Sequence, residues 1–411
     1  MLAVTLPAAS PARLDFAERH ARLMRAARTA AISNPRSAGA YAGSLTITDN
    51  GAALPAVTPL HYPFGVPTTG VWRWHGGQFT ASNGGGRFTS AIIDASTGNL
   101  GLGNGRASNF WRASVMVSAR YLTLRLFPTS SPYRLLIDGR YVSLAGTTLA
   151  TTTGTTHQYL LLDFGLRDVR EVTLEGHASS GLVGGYVEAT GRAWPVDHHD
   201  RPRVAFLGDS YVLGSAASLY GDGAAPMMGD WLGARMLASG SGGTGWNHAN
   251  ASVYRFDQRI AAGDLALDGE PELICLMASV NDRARDAGVV QVNALAGLRE
   301  ARRRHPGVPI VVFGCMPAPL GPLTGTASIT AAELAVQAAV SALADPLCRF
   351  VPVTTDLDGA WASGTGRAGA TTGSGNADWM FASDGVHPSP EGCAALGKRY
   401  AQAAIAALGT M

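Results

Sequence analysis

The chain has 411 residues, a formal net charge of only +2, 15% charged residues and 46% hydrophobic residues. A disordered chain needs low hydrophobicity and high net charge, and a nucleic-acid binder needs a clustered basic excess. No apolar run approaches the ~18 residues that a membrane-spanning helix requires. The composition therefore predicts a globular protein of two or three domains with no nucleic-acid partner and no membrane span.

Residues 1–60 are predicted to form an N-terminal helix and a linker rich in Ser, Gly and Pro. Apolar residues such as Leu14 and Leu23 recur among charges at helical spacing. This helix is either a docking arm or an ordinary surface helix, and the pattern favours the surface helix. Arg13 and Asp15 interrupt the place of a signal peptide's apolar core. The chain as written is therefore expected to be cytoplasmic, or secreted or periplasmic if a leader was removed.

Residues 61–200 show short alternating segments that predict an antiparallel, jelly-roll-like β-sandwich. The clearest is 121–127, where Leu122, Leu124 and Leu126 fall on one face. Asp138-Gly139 is a strong signal for a tight hairpin turn. Further strands are predicted at 133–137, 140–144, 159–164 and 169–174.

In residues 201–411 strand-like and helical runs alternate, which is typical of a parallel sheet with helices on both faces. Active sites of such sheets lie at the carboxyl ends of the strands. Strands are predicted at 204–207, 273–277, 310–313 and 350–353, and helices at 289–304, 331–344 and 390–408.

Residues able to perform nucleophilic catalysis occur in two places, after the first predicted strand and before the last predicted helix. Ser210 follows the first strand in Gly208-Asp209-Ser210, at a strand-to-helix junction where a hydroxyl is exposed near the positive end of a helix. Asp384 and His387 lie three residues apart before the last helix, so the carboxylate can orient the imidazole. Taken alone, Ser210 fits an ordinary helix cap and His387 an exposed loop residue.

Two further blocks offer oxyanion donors. The glycines of Ser239–Trp246, which follow an amphipathic run at 226–237, let the backbone approach a ligand closely. Asn281 follows the apolar strand 273–277, where its amide can donate to an oxyanion. In isolation the first block fits a flexible loop and the second an Asx turn.

In chain order, the four blocks contain Ser210, the glycines of Ser239–Trp246, Asn281, and the pair Asp384 and His387. Together they resemble the SGNH hydrolase (GDSL-type esterase) family over residues 203–408. The resemblance implies a Ser-His-Asp triad, an oxyanion hole, and no metal or organic cofactor. The implied triad is Ser210, His387 and Asp384, and the implied oxyanion donors are the N–H groups of Ser210 and Gly242 and the side chain of Asn281. Gly243 remains an alternative to Gly242. Ser279 stands where the family ordinarily has glycine, and it is expected to crowd the backbone near the hole.

The sandwich followed by this hydrolase pattern is similar to the carbohydrate esterase family 2 arrangement, on the Asp138-Gly139 hairpin and the strands before Arg201-Pro-Arg-Val204. That similarity implies a carbohydrate ester as substrate. Bulky residues near the second and fourth blocks are expected to line the pocket and restrict it to short acyl groups: Trp246, Trp379, Met380 and Phe381.

Three other groups of residues have two interpretations each. The His198-His199-Asp200 run is a metal cluster or a solvated linker, and the linker is favoured, so no metal site is predicted. The Trp72, Trp74 and His75 group is a sugar-stacking platform or a core strand, and the core strand is favoured. Cys348 and Cys393 are either a disulfide or free thiols.

The sequence thus predicts a serine esterase that removes short acyl groups, above all acetyl, from a carbohydrate. A general short-chain carboxylesterase, lipase or thioesterase, or an acyltransferase, would use the same residues. A glycan-binding protein with a vestigial hydrolase half is the alternative from another class. The sequence does not indicate an oligomeric state.

Overall fold

The computed structural model describes residues 15–63, 70–82, 85–90, 110–127, 132–147, 157–177, 180–198, 200–249, 254–319 and 328–411. Arg13, Leu14 and His199, named above, lie outside these residues. Within them, one sheet is antiparallel and the other is a five-stranded parallel sheet flanked by helices. The predicted fold class is confirmed.

The antiparallel sheet is formed by the N-terminal half of the chain, in the order β4-β5-β10-β6-β9-β7-β8, with β1 added to β9, β2 to β10, and β3 and β11 to β6. Its strands are β1 Thr46–Asp49, β2 Leu60–Pro63, β3 Arg73–His75, β4 Gly77–Ser82, β5 Gly85–Ser90, β6 Phe110–Phe127, β7 Tyr133–Ile137, β8 Arg140–Tyr141, β9 Gln158–His177, β10 Gly181–Val187 and β11 Arg192–Trp194.

Several strands of this sheet differ in extent from the prediction. The three leucines of 121–127 are at most 1% exposed, as alternation requires, but they belong to the much longer β6. The predicted strands 159–164 and 169–174 are one strand, β9. Asp138 and Gly139 both have positive φ, 51° and 74°, as a type I′ hairpin turn demands. The sheet begins at β1, inside the segment predicted as a linker.

The parallel sheet has the order β13-β12-β14-β15-β16. Its strands are β12 Arg203–Gly208, β13 Arg235–Gly240, β14 Leu273–Met277, β15 Ile310–Phe313 and β16 Cys348–Val351. The helices of the chain are α1 Phe16–Ser33, α2 Ser210–Leu213, α3 Ala224–Leu232, α4 Phe256–Ala261, α5 Ala287–Arg304, α6 Ile329–Leu343, α7 Ala377–Met380 and α8 Pro390–Leu408. None of these described helices is long and apolar enough to cross a bilayer.

The run 226–237, which has an amphipathic pattern, contains the end of helix α3 and the beginning of the edge strand β13. Gly233 divides this run, because its φ of 61° places it in the left-handed region that ends α3. The following residues then extend and pair with β12 in parallel. Helical periodicity alone does not reveal such a break.

Helix α1 docks on the parallel half of the protein. Leu23 and Ala27 belong to the same buried core as β12 and α3. A side chain at Gly233 would lie 2.6 Å from the Ala26 carbonyl oxygen, so the helix backbone approaches α3 closely. Arg22 also pairs with Glu272 at 2.6 Å. One face of α1 is buried against the protein and the other is exposed, as in the ordinary surface helix that the sequence favoured.

A buried ionic network joins the two sheets. Glu175 on β9 is completely buried and accepts hydrogen bonds from Arg112 Nε at 2.9 Å and Arg134 Nε at 2.5 Å. Arg112 Nη1 also lies 2.6 Å from Asp230 Oδ1 on α3, and Arg134 Nη1 lies 2.7 Å from Asp222 Oδ1. Breaking such buried pairs typically costs about 3–5 kcal/mol. The two halves are therefore mutually dependent, and the role of either is best tested in the full chain.

The four cysteines are buried free thiols. Burial raises the pKa of Cys348 and of Cys393 to about 12. The disulfide alternative for this pair is therefore wrong.

Candidate active site

The site lies at the carboxyl edge of the parallel sheet, where Ser210 follows the interior strand β12. Asp209 caps α2, and its carboxylate accepts a hydrogen bond from the Tyr211 N–H at 2.9 Å. This cap ends the strand sharply and makes Ser210 the first residue of the helix. The serine side chain therefore points from the strand end toward the last turn before α8.

Ser210, His387 and Asp384 form one hydrogen-bonded chain. Ser210 Oγ lies 2.9 Å from His387 Nε2, and His387 Nδ1 lies 2.6 Å from Asp384 Oδ2. The other oxygen of Asp384 accepts the N–H groups of Val386 and His387, both at 2.9 Å. The intervening Gly385 has a φ of 66°, which lets the turn bring the carboxylate beneath the imidazole.

The charge of Asp384 is stabilised although its side chain is 46% exposed. Partial burial alone would raise the pKa of Asp384, but the hydrogen bonds from the His387 imidazole and from the Val386 and His387 amides outweigh it and lower the pKa. Asp384 is therefore ionised at the pH values at which the imidazole of His387 is neutral. Its carboxylate can then hold His387 in the tautomer that leaves Nε2 free to accept a proton.

Gly242 is the glycine of the second block that faces the serine. A side chain there would meet Ser210 Cβ at 3.9 Å, whereas Gly243 has a φ of 68°, in the left-handed region. Asn281 lies in a single 3₁₀ turn, Val280–Asp282, after β14. Its Nδ2 donates to the Thr244 carbonyl at 2.9 Å, so the third block is bonded to the second.

Ser279 has a different role from the one expected at the sequence level. Its Oγ lies 2.6 Å from Asp209 Oδ2 and 2.8 Å from the Thr244 carbonyl, and it accepts the Asn281 N–H at 3.1 Å. Since the carboxylate is the stronger acceptor, the hydroxyl proton belongs to that bond. The expectation that Ser279 merely crowds the backbone is wrong: it links the first, second and third blocks.

Replacing Ser279 by alanine is expected to destabilise the protein, and more so at high pH. Burial raises the pKa of Asp209, and the Ser279 hydrogen bond opposes that rise. A carboxyl whose folded pKa is raised favours folding at low pH and loses that contribution as the pH rises through its folded pKa. Without the hydroxyl the pKa rises further and the loss is larger. Losing a hydrogen bond to a charged group costs about 1.5–3 kcal/mol.

Thermal melts of wild type and Ser279→Ala at pH 5 and pH 8 measure this effect. The gap in Tm should be wider at pH 8, and Ser279→Thr, which keeps the hydroxyl, is the control. A gap that is the same at both pH values would return Ser279 to the role of filling space.

Two supporting residues were missed at the sequence level. Arg259 is fully buried and donates to the carbonyls of Gly208 at 2.9 Å and Ser239 at 2.7 Å, so it ties the ends of β12 and β13 together. Asp282 accepts the N–H groups of Trp246 at 2.7 Å and Asn247 at 2.9 Å, and burial raises its pKa to about 6. The only signal for Asp282 was its place beside Asn281, and Arg259 had none.

Three of the four predicted pocket residues are packed in the core. Trp246 and Phe381 are 0% exposed and Met380 is 3% exposed, so they cannot contact a substrate. Trp246 instead donates its indole N–H to the Met277 carbonyl and stacks edge-on against Phe256. Trp379 is 47% exposed and remains a candidate for substrate contact.

The remaining groups differ in outcome: the Trp72 group fits the core strand that was favoured, whereas His198 is buried, so it is not part of a solvated linker. Trp72 is 1% exposed and packs in the core of the antiparallel sheet. In the part of the chain that the structure describes, no group of three or more His, Cys, Asp or Glu side chains is arranged to hold a metal ion.

A parallel sheet with this array of serine, histidine and aspartate at its carboxyl edge defines the class of the protein: an α/β ester hydrolase. More particularly, residues 206–395 match the model of the GDSL-like Lipase/Acylhydrolase family. A comparison with curated proteins found no match.

Solved structures resemble both halves of the chain together. The salicylyl-acyltransferase SsfX3 from a tetracycline biosynthetic pathway is 16% identical, with a TM-score of 0.60, and the match covers 85% of this chain and 98% of that one. A carbohydrate esterase family 2 enzyme from Corynascus thermopiles (Myceliophthora fergusii) is 16% identical, with a TM-score of 0.56 and coverage of 82% and 99%. One from Clostridium thermocellum, in complex with cellohexaose, is 15% identical, with a TM-score of 0.56 and coverage of 83% and 100%. At these identities the likeness concerns the fold.

Proposed function

We propose that the protein hydrolyses short-chain acyl esters, with acetyl esters of carbohydrates as its substrate class. The observation that carries the proposal is the continuous hydrogen-bonded chain from Ser210 through His387 to Asp384. A serine hydroxyl is too weakly acidic to attack an ester unaided, and a hydrogen-bonded histidine can remove its proton during the attack.

In the proposed mechanism, Ser210 attacks the ester carbonyl while His387 takes its proton, and Asp384 stabilises the imidazolium that forms. The developing oxyanion is stabilised by the N–H groups of Ser210 and Gly242 and by the Asn281 amide. His387 then protonates the departing alcohol. Water attacks the acyl-enzyme by the same route in reverse and releases the carboxylic acid.

The carbohydrate part of the proposal rests on the overall arrangement. An antiparallel sheet precedes the hydrolase half, as in the solved family 2 carbohydrate esterases. We propose a boundary near residue 200, with residues 61–200 as the β-sandwich domain and 201–411 as the catalytic domain. Trp379, exposed one turn before Asp384, is proposed as the aromatic surface beside the acyl or alcohol group.

A substrate screen of the purified full chain tests the proposal. Rates are measured on nitrophenyl esters of increasing chain length and on acetylated xylose or cellobiose. We expect activity to fall steeply beyond about four carbons, since an open apolar cleft would instead gain up to about 0.8 kcal/mol for each added methylene. The acetylated sugars should exceed nitrophenyl acetate in kcat/KM.

Other outcomes of this screen favour the alternatives. An optimum at eight carbons or longer favours a lipase, and preference for thioesters favours a thioesterase. The likeness to an acyltransferase fold is addressed by adding an alcohol acceptor: transfer that outcompetes hydrolysis would favour an acyltransferase. No turnover of any ester, with glycan binding retained, would favour the glycan-binding protein.

A further inference from the structure

A second cleft, of about 1060 Å³, lies where α1, the antiparallel sheet and the beginning of β13 meet. Arg235 is the first residue of β13, and Arg201 stands just before β12. The cleft is therefore at the amino edge of the parallel sheet, whereas Ser210 is at the carboxyl edge. Its volume is in the upper range of small-molecule sites, and junctions between domains are a usual place for them.

Arg235 lines this cleft and is only partly buried; Asp268 and Glu272 favour its charge from a distance, but it makes no ion pair of the kind that other arginines of the described chain make. Arg36, Arg112 and Arg134 each face at least two acidic groups, which raise their pKa values although burial alone would lower them. No carboxylate among the described residues lies within ion-pair distance of Arg235, whose Nε donates to the Arg201 carbonyl at 2.8 Å. Burial, followed by the neighbouring guanidinium of Arg203, lowers the pKa of Arg235 to about 10.

His75 brings an unpartnered polar atom to the same cleft. Its side chain is 7% exposed, and its Nε2 has no hydrogen-bond partner in the described part of the chain. The next residue, Gly76, donates its N–H to Asp268 at 3.0 Å, and a side chain there would lie 3.2 Å from the Met236 carbonyl. This contact sets His75 beside the start of β13. Burial and the nearby cations, Arg112 first, lower the pKa of His75, so the ring is neutral.

The charges around the cleft leave a small positive excess. Arg201 is neutralised by Glu171 through two bonds of 2.7 and 2.8 Å, and Arg112 is paired with Asp230. The other charged residues that line the cleft are three arginines, Arg25, Arg140 and Arg235, and two aspartates, Asp138 and Asp200. A partly buried guanidinium without an ion-pair partner among the described residues and a neutral imidazole able to donate together suit one negatively charged group.

We propose that this cleft binds a small ligand through a carboxylate or phosphate group, with Arg235 and His75 as its anion contacts. The planar guanidinium matches the paired oxygens of such a group, and the His75 ring donates a further hydrogen bond from Nε2. The proposal does not depend on the ester chemistry at Ser210, because the two sites lie at opposite edges of the sheet.

Calorimetry and thermal melts of the full chain test it, with inorganic phosphate and glucuronate as probes and with glucose and sodium chloride of equal ionic strength as controls. We expect saturable heat and a rise in Tm of about 2 °C or more with one of the two anions and not with either control. Tighter phosphate binding would indicate a phosphorylated ligand, and tighter glucuronate binding an acidic sugar. No saturable heat with either anion up to ~20 mM would overturn the proposal.

Arg235→Gln separates a binding arginine from a structural one. In buffer without polyvalent anions, its Tm should equal or exceed that of wild type, because an uncompensated charge is removed. Its affinity for the anion should fall at least about tenfold. Arg303→Gln, which removes an exposed charge on α5, should bind the anion as wild type does. Unchanged affinity in Arg235→Gln would assign the anion to another place.

Two further measurements keep the outcome clear if Arg235→Gln does not fold. Arg235→Lys keeps the charge without the paired donors, and His75→Gln changes the second contact; each should weaken anion binding, and unchanged binding in both contradicts the proposal. Turnover of nitrophenyl acetate by these variants should stay at the wild-type level. Esterase activity without anion binding would thus refute this site alone.

Discussion

Ser210→Ala is expected to reduce ester turnover by about 10⁴-fold or more, because no other group on the site can form the acyl-enzyme. The Tm should fall by no more than a few degrees, since the buried hydroxyl makes a hydrogen bond to His387 at 2.9 Å and such a bond contributes about 0.5–1.5 kcal/mol. Steady-state kinetics on nitrophenyl acetate, together with thermal melts, measure both effects.

Ser215→Ala is the matched control for this variant. Ser215 lies on the same loop, and its backbone N–H donates to the Ser210 carbonyl, but its hydroxyl is not part of the triad. It should keep wild-type turnover and labelling by a serine-directed organophosphonate, whereas Ser210→Ala should lose both. If Ser210→Ala retained more than about a tenth of its activity, the acyl-enzyme mechanism would have to be abandoned.

Asn281→Ala is expected to lower kcat by about 10²–10³-fold with little change in KM, as the loss of one oxyanion donor does. The amide is held in place, because its Nδ2 donates to the Thr244 carbonyl at 2.9 Å and lies 3.2 Å from Ser279 Oγ. The same bond introduces a second possible cause for a loss of activity, since its removal also loosens the second block.

Asn293→Ala distinguishes the two causes. Asn293 donates to the Trp246 carbonyl of the same loop at 2.9 Å, but it stands on α5, away from Ser210. If Asn281 acts on the oxyanion, Asn293→Ala should retain most of the wild-type kcat. Equal losses in both variants would make Asn281 a support of the loop, and a rise in KM with kcat unaffected would make it a ground-state binding residue.

The sequence by itself determined the two-part architecture and the places of the groups proposed here as catalytic. Strand β14 and helix α8 have the predicted bounds to the residue. A buried apolar run sets the first, and the Ser389 cap followed by Pro390 as the first helical residue sets the start of the second. Ser210 could be placed because parallel strands deliver the residues that follow them to one edge, and in the structure His387 lies 2.9 Å from its hydroxyl there.

Only the tertiary structure decided which side chains meet. Arg259, Asp209 and Ser279 act through partners up to 70 residues away, and no local pattern records such bonds. Trp246 and Phe381 were expected to line a pocket because they are near the second and fourth blocks in the sequence. In the fold both rings are completely buried, because removing a large apolar ring from water stabilises the folded protein. The packing of α1 on the core of the parallel half likewise joins segments that are far apart in the sequence. The same is true of the ionic network around Glu175.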